Sequence, residues 1–183
     1  MNVLKAIKKR RSVRSFLDKG IEESKISKIL EAGSLAPSSG NVQNWEFIVV
    51  KNDKEEIAEA CRQDFILEAA VLIIVCNTKN KIEILFGDKG KEFYGIQNCA
   101  MAIENMLLGA TALGLGSCFV AVFDEERIKR TLSIPGDVSV DGVIVLGYAK
   151  GKSESDRIST KLKTFFEGYG KRRKPSILKI FKK

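Results

Sequence analysis

The run AAVLIIVC at positions 69–76 leaves its own strand no side for solvent. Successive strand residues point to opposite faces, so a stretch apolar at both parities is a central strand buried on both sides. Such a strand needs a layer packed above the sheet and another below it, and the rest of the chain supplies helices for both.

Asn2 caps a first helix whose apolar stripe is Val3, Leu4 and Ile7. A second helix follows Ile21, with Glu22 and Glu23 in its first turn and Ile26, Ile29 and Leu30 on one face. EFIVVK at 46–51 alternates into a strand, and 53–61 reads as helix. The longest helix is expected over 93–113, where Ile96, Cys99, Ala100, Ile103, Met106, Leu107 and Ala110 recur among small residues. Near-continuous hydrophobicity makes it a central or subunit-interface helix. A strand over 117–122, a short helix over 125–132 capped by Asp124, and a strand over 140–148 complete the core. Residues 149–170 form a polar extension anchored by Phe165 and Phe166. The resulting fold class is α+β, a three-layer α/β/α arrangement. Because few tight hairpin signals separate the strands, its central sheet is expected to be mixed.

The absence of histidine narrows the chemistry. Ser-His-Asp and Cys-His catalysis, HExxH metalloprotease chemistry and most catalytic zinc sites are excluded, and no residue set is assigned to a metal. An enzyme built this way relies on a cofactor for its reactive group. Cys61, Cys76, Cys99 and Cys118 are too far apart for a zinc site or a disulfide framework, and read as buried reduced thiols. With no signal peptide and no apolar run of about 20 residues, a cytoplasmic protein without a membrane span is expected. The net charge of +8 gathers in residues 5–14 and 171–183. No zinc finger, RNA-recognition signature or DNA-reading helix accompanies it, so nucleic acid is an unlikely partner.

Two polar stretches exceed what their local structure requires. RRSVRSF supplies Arg10, Arg11, Ser12 and Arg14, and guanidinium forks make bidentate, charge-assisted bonds to phosphate oxygens. The other reading is that these cations complement the negative end of the preceding helix. APSSGNVQNW at 36–45 places five hydrogen-bonding side chains in seven residues, more than a helix-to-strand turn needs. GxGxxG before an early helix and GxxxxGK[ST] are both absent. A phosphate grip with a polar loop able to bond a ring or ribityl chain suits flavin mononucleotide (FMN) better than a nicotinamide dinucleotide.

With these motifs in order, and with GLGSCFVAVFD at 114–124 and VIVLGYAKG at 143–151, the chain resembles the FMN-dependent nitroreductase-like family. The resemblance implies a nitroreductase-like FMN-binding domain at residues 1–158, with an extension at 159–183 that wraps the partner subunit and ends in a basic tail. It implies a homodimer with two FMN sites at the interface. The phosphate grip falls on Arg10, Arg11, Ser12 and Arg14; the partner chain contributes Pro37, Ser38, Ser39, Asn41 and Gln43. Gln63 reaches toward the isoalloxazine, Val120, Ala121 and Val122 run along the ring with a backbone N–H aimed at N5, and Lys152 or Arg157 makes a last phosphate contact. Activity implied is a ping-pong reaction in which NADH or NADPH reduces the flavin and a nitroaromatic, quinone or similar small electrophile reoxidises it, with no catalytic side chain. The alternatives are a flavin-binding sensor or carrier without turnover, or another flavin chemistry such as dehalogenation or dehydrogenation.

Three departures stand out. Relatives commonly read NxQPW where this chain has Asn44 before Trp45, and commonly have Gly where Val122 stands. The chain is also short between its second and third strands, where larger members carry a helical excursion.

Overall fold

A computed structural model of the chain describes residues 1–151 and 156–172. The chain divides into two compact units, Met1–Ser153 and Glu154–Lys183. In the first, the elements run α1 (Val3–Lys9), α2 (Glu23–Ser34), β1 (Trp45–Val50), α3 (Glu55–Cys61), β2 (Val71–Thr78), α4 (Lys79–Lys89), α5 (Gly95–Ala112), β3 (Gly116–Val120), α6 (Glu125–Leu132) and β4 (Val138–Gly147). The described part of the second unit holds one short helix, α7 (Thr160–Lys163), and a Phe165–Tyr169 ring contact at 4.8 Å.

The sheet order β1-β2-β4-β3 puts β2 and β4 in the middle, as the apolar run requires. Leu72, Ile74 and Cys76 face a core closed by Ile57 and Ala58 of α3 and Ile128 of α6. Val71, Ile73 and Val75 face the opposite core, closed by Ile26 and Ile29 of α2 and Met106 of α5. Leu72, Ile73 and Ile74 are fully buried, each contributing about 1.5–3 kcal/mol by leaving water. The expected three layers are therefore present.

One detail of the sheet differs from expectation. All three ladders are antiparallel, and among the described residues the parallel pairing is confined to the isolated bridge Ser12–Ser117. A lack of hairpin turns does not imply parallel neighbours here, because helical connections long enough to allow either direction join the strands. The ladder between β2 and β4 is interrupted: Val75 pairs with Gly142 and Cys76 with Val140, so Asp141 is an extra, unpaired residue.

α4 had no sequence signal, since only Ile82 is buried while Ile84 and Leu85 face outward. It is broken at Gly87, whose φ of 58° is open to glycine without strain, and a π-turn over Gly90–Tyr94 leads into α5. The stripe expected on α1 does not face the core: Ala6 is its buried residue, while Val3, Leu4 and Ile7 are 63%, 65% and 50% exposed.

Candidate functional site

α1 ends at Arg10, and the chain then runs beside β3, held by the Ser12–Ser117 bridge and by Val13 N–H donating to Ser117 O at 2.9 Å. This fixes the arginine segment, and its three guanidinium groups do different things. Arg11 turns back, its Nη1 donating to Lys8 O (2.8 Å) and Arg10 O (2.7 Å), which satisfies carbonyl groups left open where α1 ends. Arg10 pairs through Nε with Glu104 Oε1 of α5 at 3.3 Å. Arg14 is exposed and has no ion-pair partner among the described residues. The Ser117 hydroxyl beside this segment is buried, with no hydrogen-bond partner among the described residues.

Arg14 borders a cavity of about 390 Å³ whose lining also includes Gln63, Val120, Ala121 and Val122. Five expected residues from three separate stretches thus converge. β3 ends at Val120, so Ala121 and Val122 lie beyond the ladder, with Val122 84% exposed. On another wall α3 stops at Arg62, whose left-handed conformation (φ 52°) turns the chain into Gln63. Arg62 also lines the cavity; its basic side chain next to Gln63 was the available signal, and the sequence reading passed over it. Ala121 is shared with a second cavity of about 610 Å³, bordered by Lys79, Lys91, Ile96 and Asp141.

The loop after α2 is built separately. Gly40, Asn41 and Gln43 take left-handed backbone angles (φ 59°, 56° and 49°), and Ser38 Oγ accepts from Gln43 N–H at 3.0 Å. Gln43 Nε2 donates to Asn41 Oδ1 at 2.9 Å, and Ser39 N–H donates to Asn98 Oδ1 of α5 at 3.0 Å. Pro37, Ser38, Ser39, Asn41 and Gln43 stand apart from the lining of the arginine-bordered cavity. α5 anchors both stretches, Asn98 holding Ser39 and Glu104 holding Arg10. Six residues of helix separate these anchors by about 9 Å and turn them about 120° apart, so on one chain the two stretches face different directions.

Asn44, the departure beside Trp45, is fully buried and hydrogen-bonded to Asn77 and Asn98. Of the last expected contacts, Lys152 lies outside the described residues, as does the tail from 173 onward. Arg157 belongs to the second unit, where its Nη1 donates to Asp156 O at 3.4 Å.

Burial dominates the titration of the thiols. It pushes Cys61 and Cys76 up to about 11, and Cys99 higher still. Cys118 is also raised by burial, with Arg14, Ser12 and Arg10 pulling the other way, so cationic and hydroxyl groups of the arginine segment converge on β3. Because the thiolate is the reactive form, all four cysteines should resist a disulfide reagent such as DTNB at pH 8 in the folded protein and react once it is unfolded. Stoichiometric labelling of native protein would contradict this. Among the described residues no cluster of side chains could hold a metal ion, and no helix is long and apolar enough to cross a membrane.

The donor set fits an anionic, phosphate-bearing ligand with a flat polar ring. The Arg14 guanidinium, without an ion-pair partner, and the buried Ser117 hydroxyl, without a hydrogen-bond partner among the described residues, stand at the arginine segment, and a strand terminus with an amide side chain stands along the cavity. Comparison with known proteins agrees. The nitroreductase family matches residues 7–63 and 52–148. A protein of Archaeoglobus fulgidus, provisionally named NADH dehydrogenase/NAD(P)H nitroreductase, is 37% identical over 82% of this chain and 87% of its own. A Parabacteroides distasonis crystal structure bearing the same provisional name superimposes with a TM-score of 0.82 at 29% identity, over 92% of this chain and all of that one. An FMN-dependent nitroreductase of Clostridium difficile gives 0.76 at 29% identity, over 91% and 99%. A four-stranded sheet between two helical layers, with the arginine segment laid along its edge strand, is thus the framework of a known group of oxidoreductases, and this chain belongs to the nitroreductase family.

Proposed function

We propose that the protein is an FMN-dependent NAD(P)H oxidoreductase acting on small electrophilic acceptors, with nitroaromatics and quinones as the substrate class. The observation that carries this reading is the meeting of Arg14, Gln63 and Val120 to Val122 around one cavity, next to the segment that holds Arg10 and Ser12. Bound FMN would supply the redox chemistry, taking a hydride from NADH or NADPH at N5 and giving it to the acceptor.

The chain's own residues bind and orient. Arg10, Ser12 and Arg14 hold the phosphate, with the remaining nitrogens of Arg11 at the edge. Gln63 bonds the ring edge, while a backbone N–H in the stretch Val120 to Val122 points a fixed dipole at N5, where reduction concentrates electron density. Pro37, Ser38, Ser39, Asn41 and Gln43 serve the FMN gripped by the partner chain. The exposed stripe Val3, Leu4 and Ile7 on α1 supports a homodimer, because contiguous exposed apolar patches mark interaction surfaces. In this reading residues 1–158 form the FMN domain and 159–183 contact the partner.

The test is optical. Purified protein reconstituted with FMN should show the visible flavin bands, and anaerobic addition of NADH or NADPH should bleach them within seconds. FMN retained without bleaching by either donor would replace this reading with a flavin carrier or sensor.

A further inference from the structure

The loop that carries Ser39 is tied to the middle of the sheet by a chain of side-chain hydrogen bonds running in one direction. Ser39 N–H and Oγ–H donate to Asn98 Oδ1 at 3.0 and 3.3 Å. Asn98 Nδ2 donates to Asn44 Oδ1 at 2.7 Å, Asn44 Nδ2 to Asn77 Oδ1 at 2.7 Å, and Asn77 Nδ2 to Asp141 Oδ2 at 2.9 Å. Ser139 Oγ donates to the other carboxylate oxygen, also at 2.9 Å. Asn44, Asn77 and Asn98 have no exposed surface, so water cannot replace a missing partner.

The direction is not arbitrary. Each amide has one accepting and one donating end, so turning one Asn over forces the next to turn. Burial pushes the Asp141 carboxyl up, while the donors Ser139 and Asn77 pull it back toward the carboxylate, which accepts only and requires the Asn77 NH₂ to face it; the Gly95 carbonyl, accepting from Asn44 Nδ2 at 3.3 Å, favours the same direction. That places the Asn77 oxygen on Asn44, the Asn44 oxygen on Asn98, and the Asn98 oxygen on Ser39. A reversed chain would set the Asn98 NH₂ against the Ser39 N–H, donor against donor.

The backbone is shaped to put Asp141 there. It is the extra residue of the bulge in β4. Val138 and Val140 before it, and Val143 and Val145 after it, face the same core although their parity differs. The bulge absorbs that parity change and leaves Asp141 out of the ladder, and bulges of this kind re-aim a side chain. The backbone beside the chain is equally constrained: a Cβ on Gly95 would stand 2.9 Å from Asn77 Nδ2.

We propose that Asp141 is a positioning residue for the flavin loop: its acceptor-only carboxylate sets the direction of the Asn77–Asn44–Asn98 chain, so that Ser39 presents oxygen lone pairs, not a proton, to its ligand. Resting on the FMN reading, this assigns Ser39 a donor group of the flavin, a ribityl hydroxyl or ring N–H, and not the phosphate.

Full-length Asp141→Ala and Asp141→Asn separate this role from simple packing. Asparagine can still turn its oxygen to Asn77 and its NH₂ to Ser139 Oγ, whereas alanine frees Asn77 to turn over. Hydrogen exchange at the Ser39 amide, measured without FMN, should quicken about ten-fold in Asp141→Ala and stay near wild type in Asp141→Asn, with Ile73 in β2 protected throughout. FMN affinity, read by flavin fluorescence, should fall by a similar factor in Asp141→Ala alone, and adding Ser39→Ala should cost nothing more. Should alanine unfold the protein, Asp141→Ser, one atom too short to reach Asn77, must give the same pattern. Unchanged Ser39 exchange, equal effects of Ala and Asn, or additive losses with Ser39→Ala would each overturn the proposal. Wild-type protein that binds no FMN would remove the flavin reading and Ser39's ligand with it, while the exchange arm would still decide the direction of the chain.

Discussion

Replacing Arg10 and Arg14 together by alanine is expected to weaken FMN binding about 10²- to 10⁴-fold while leaving riboflavin binding unchanged. Hydrogen bonds to charged groups contribute about 1.5–3 kcal/mol each, and the two removals sum to about 3–6 kcal/mol if they add. Riboflavin lacks the phosphate, so a loss confined to FMN identifies what the guanidinium groups hold. Arg14 has no ion-pair partner among the described residues and borders the cavity directly, so its removal alone should account for at least half of the effect. Arg10 has a competing role through Glu104. Glu104→Gln is the control: it should disturb α1 against α5 slightly, since partly exposed ion pairs contribute little, and leave Arg10 free for the phosphate. Equal losses of FMN and riboflavin affinity in the double variant would mean that the segment supports the fold and not the phosphate.

The parts of the molecule that could be read from sequence are those where one local rule acts alone. β2 announced itself because both its faces are buried, and α6 because Asp124 caps it, accepting from Arg127 N–H at 3.0 Å, and Pro135 follows it. α4 was not legible because its apolar residues, Ile82, Ile84, Leu85 and Phe86, crowd into little more than one turn before the break at Gly87. Strand direction was not legible either, since it is set by how helices cover the sheet. At the site, guanidinium chemistry pointed to Arg14 and the family resemblance to Gln63 and Val120 to Val122, and the fold brings all five to one cavity. It could not separate Arg11, which completes a helix end, from Arg14, because both are arginines in one short motif. The relay to Asp141 joins positions 39, 98, 44, 77 and 141, a spacing with no period. Its only trace in the sequence is polarity in the wrong place: Asn98 within an apolar helix, Asn77 closing an apolar strand, and Asp141 interrupting VDGVIVL.

That trace leads to the second large effect, at Asn44. Alanine there should destabilise the protein by about 2–6 kcal/mol and lower Tm by roughly 5–20 °C, more than any exposed loop substitution such as Asn41→Ala. Asn44 is the middle of the relay: its amide receives Asn98 Nδ2 and supplies Asn77 Oδ1, and both neighbours are fully buried. Removing it strands one donor and one acceptor, each costing about 1–3 kcal/mol without water to replace the partner. Proline, the residue that the family resemblance leads one to expect there, should do no better in this chain, because Asn77 and Asn98 would remain without a partner at that position. Adding Asn77→Leu to Asn44→Leu removes the facing polar groups together, and should recover part of the stability lost in Asn44→Leu alone; urea unfolding of the four proteins measures the coupling. The bond from Thr78 N–H to the residue-44 carbonyl, 2.8 Å, is backbone and common to all four proteins, so no recovery would mean that the loss comes from fitting leucine into the site and not from unpaired polar groups. Recovery of stability with poor FMN affinity would show that the asparagine relay serves the position of Ser39 and that the fold can be built without it.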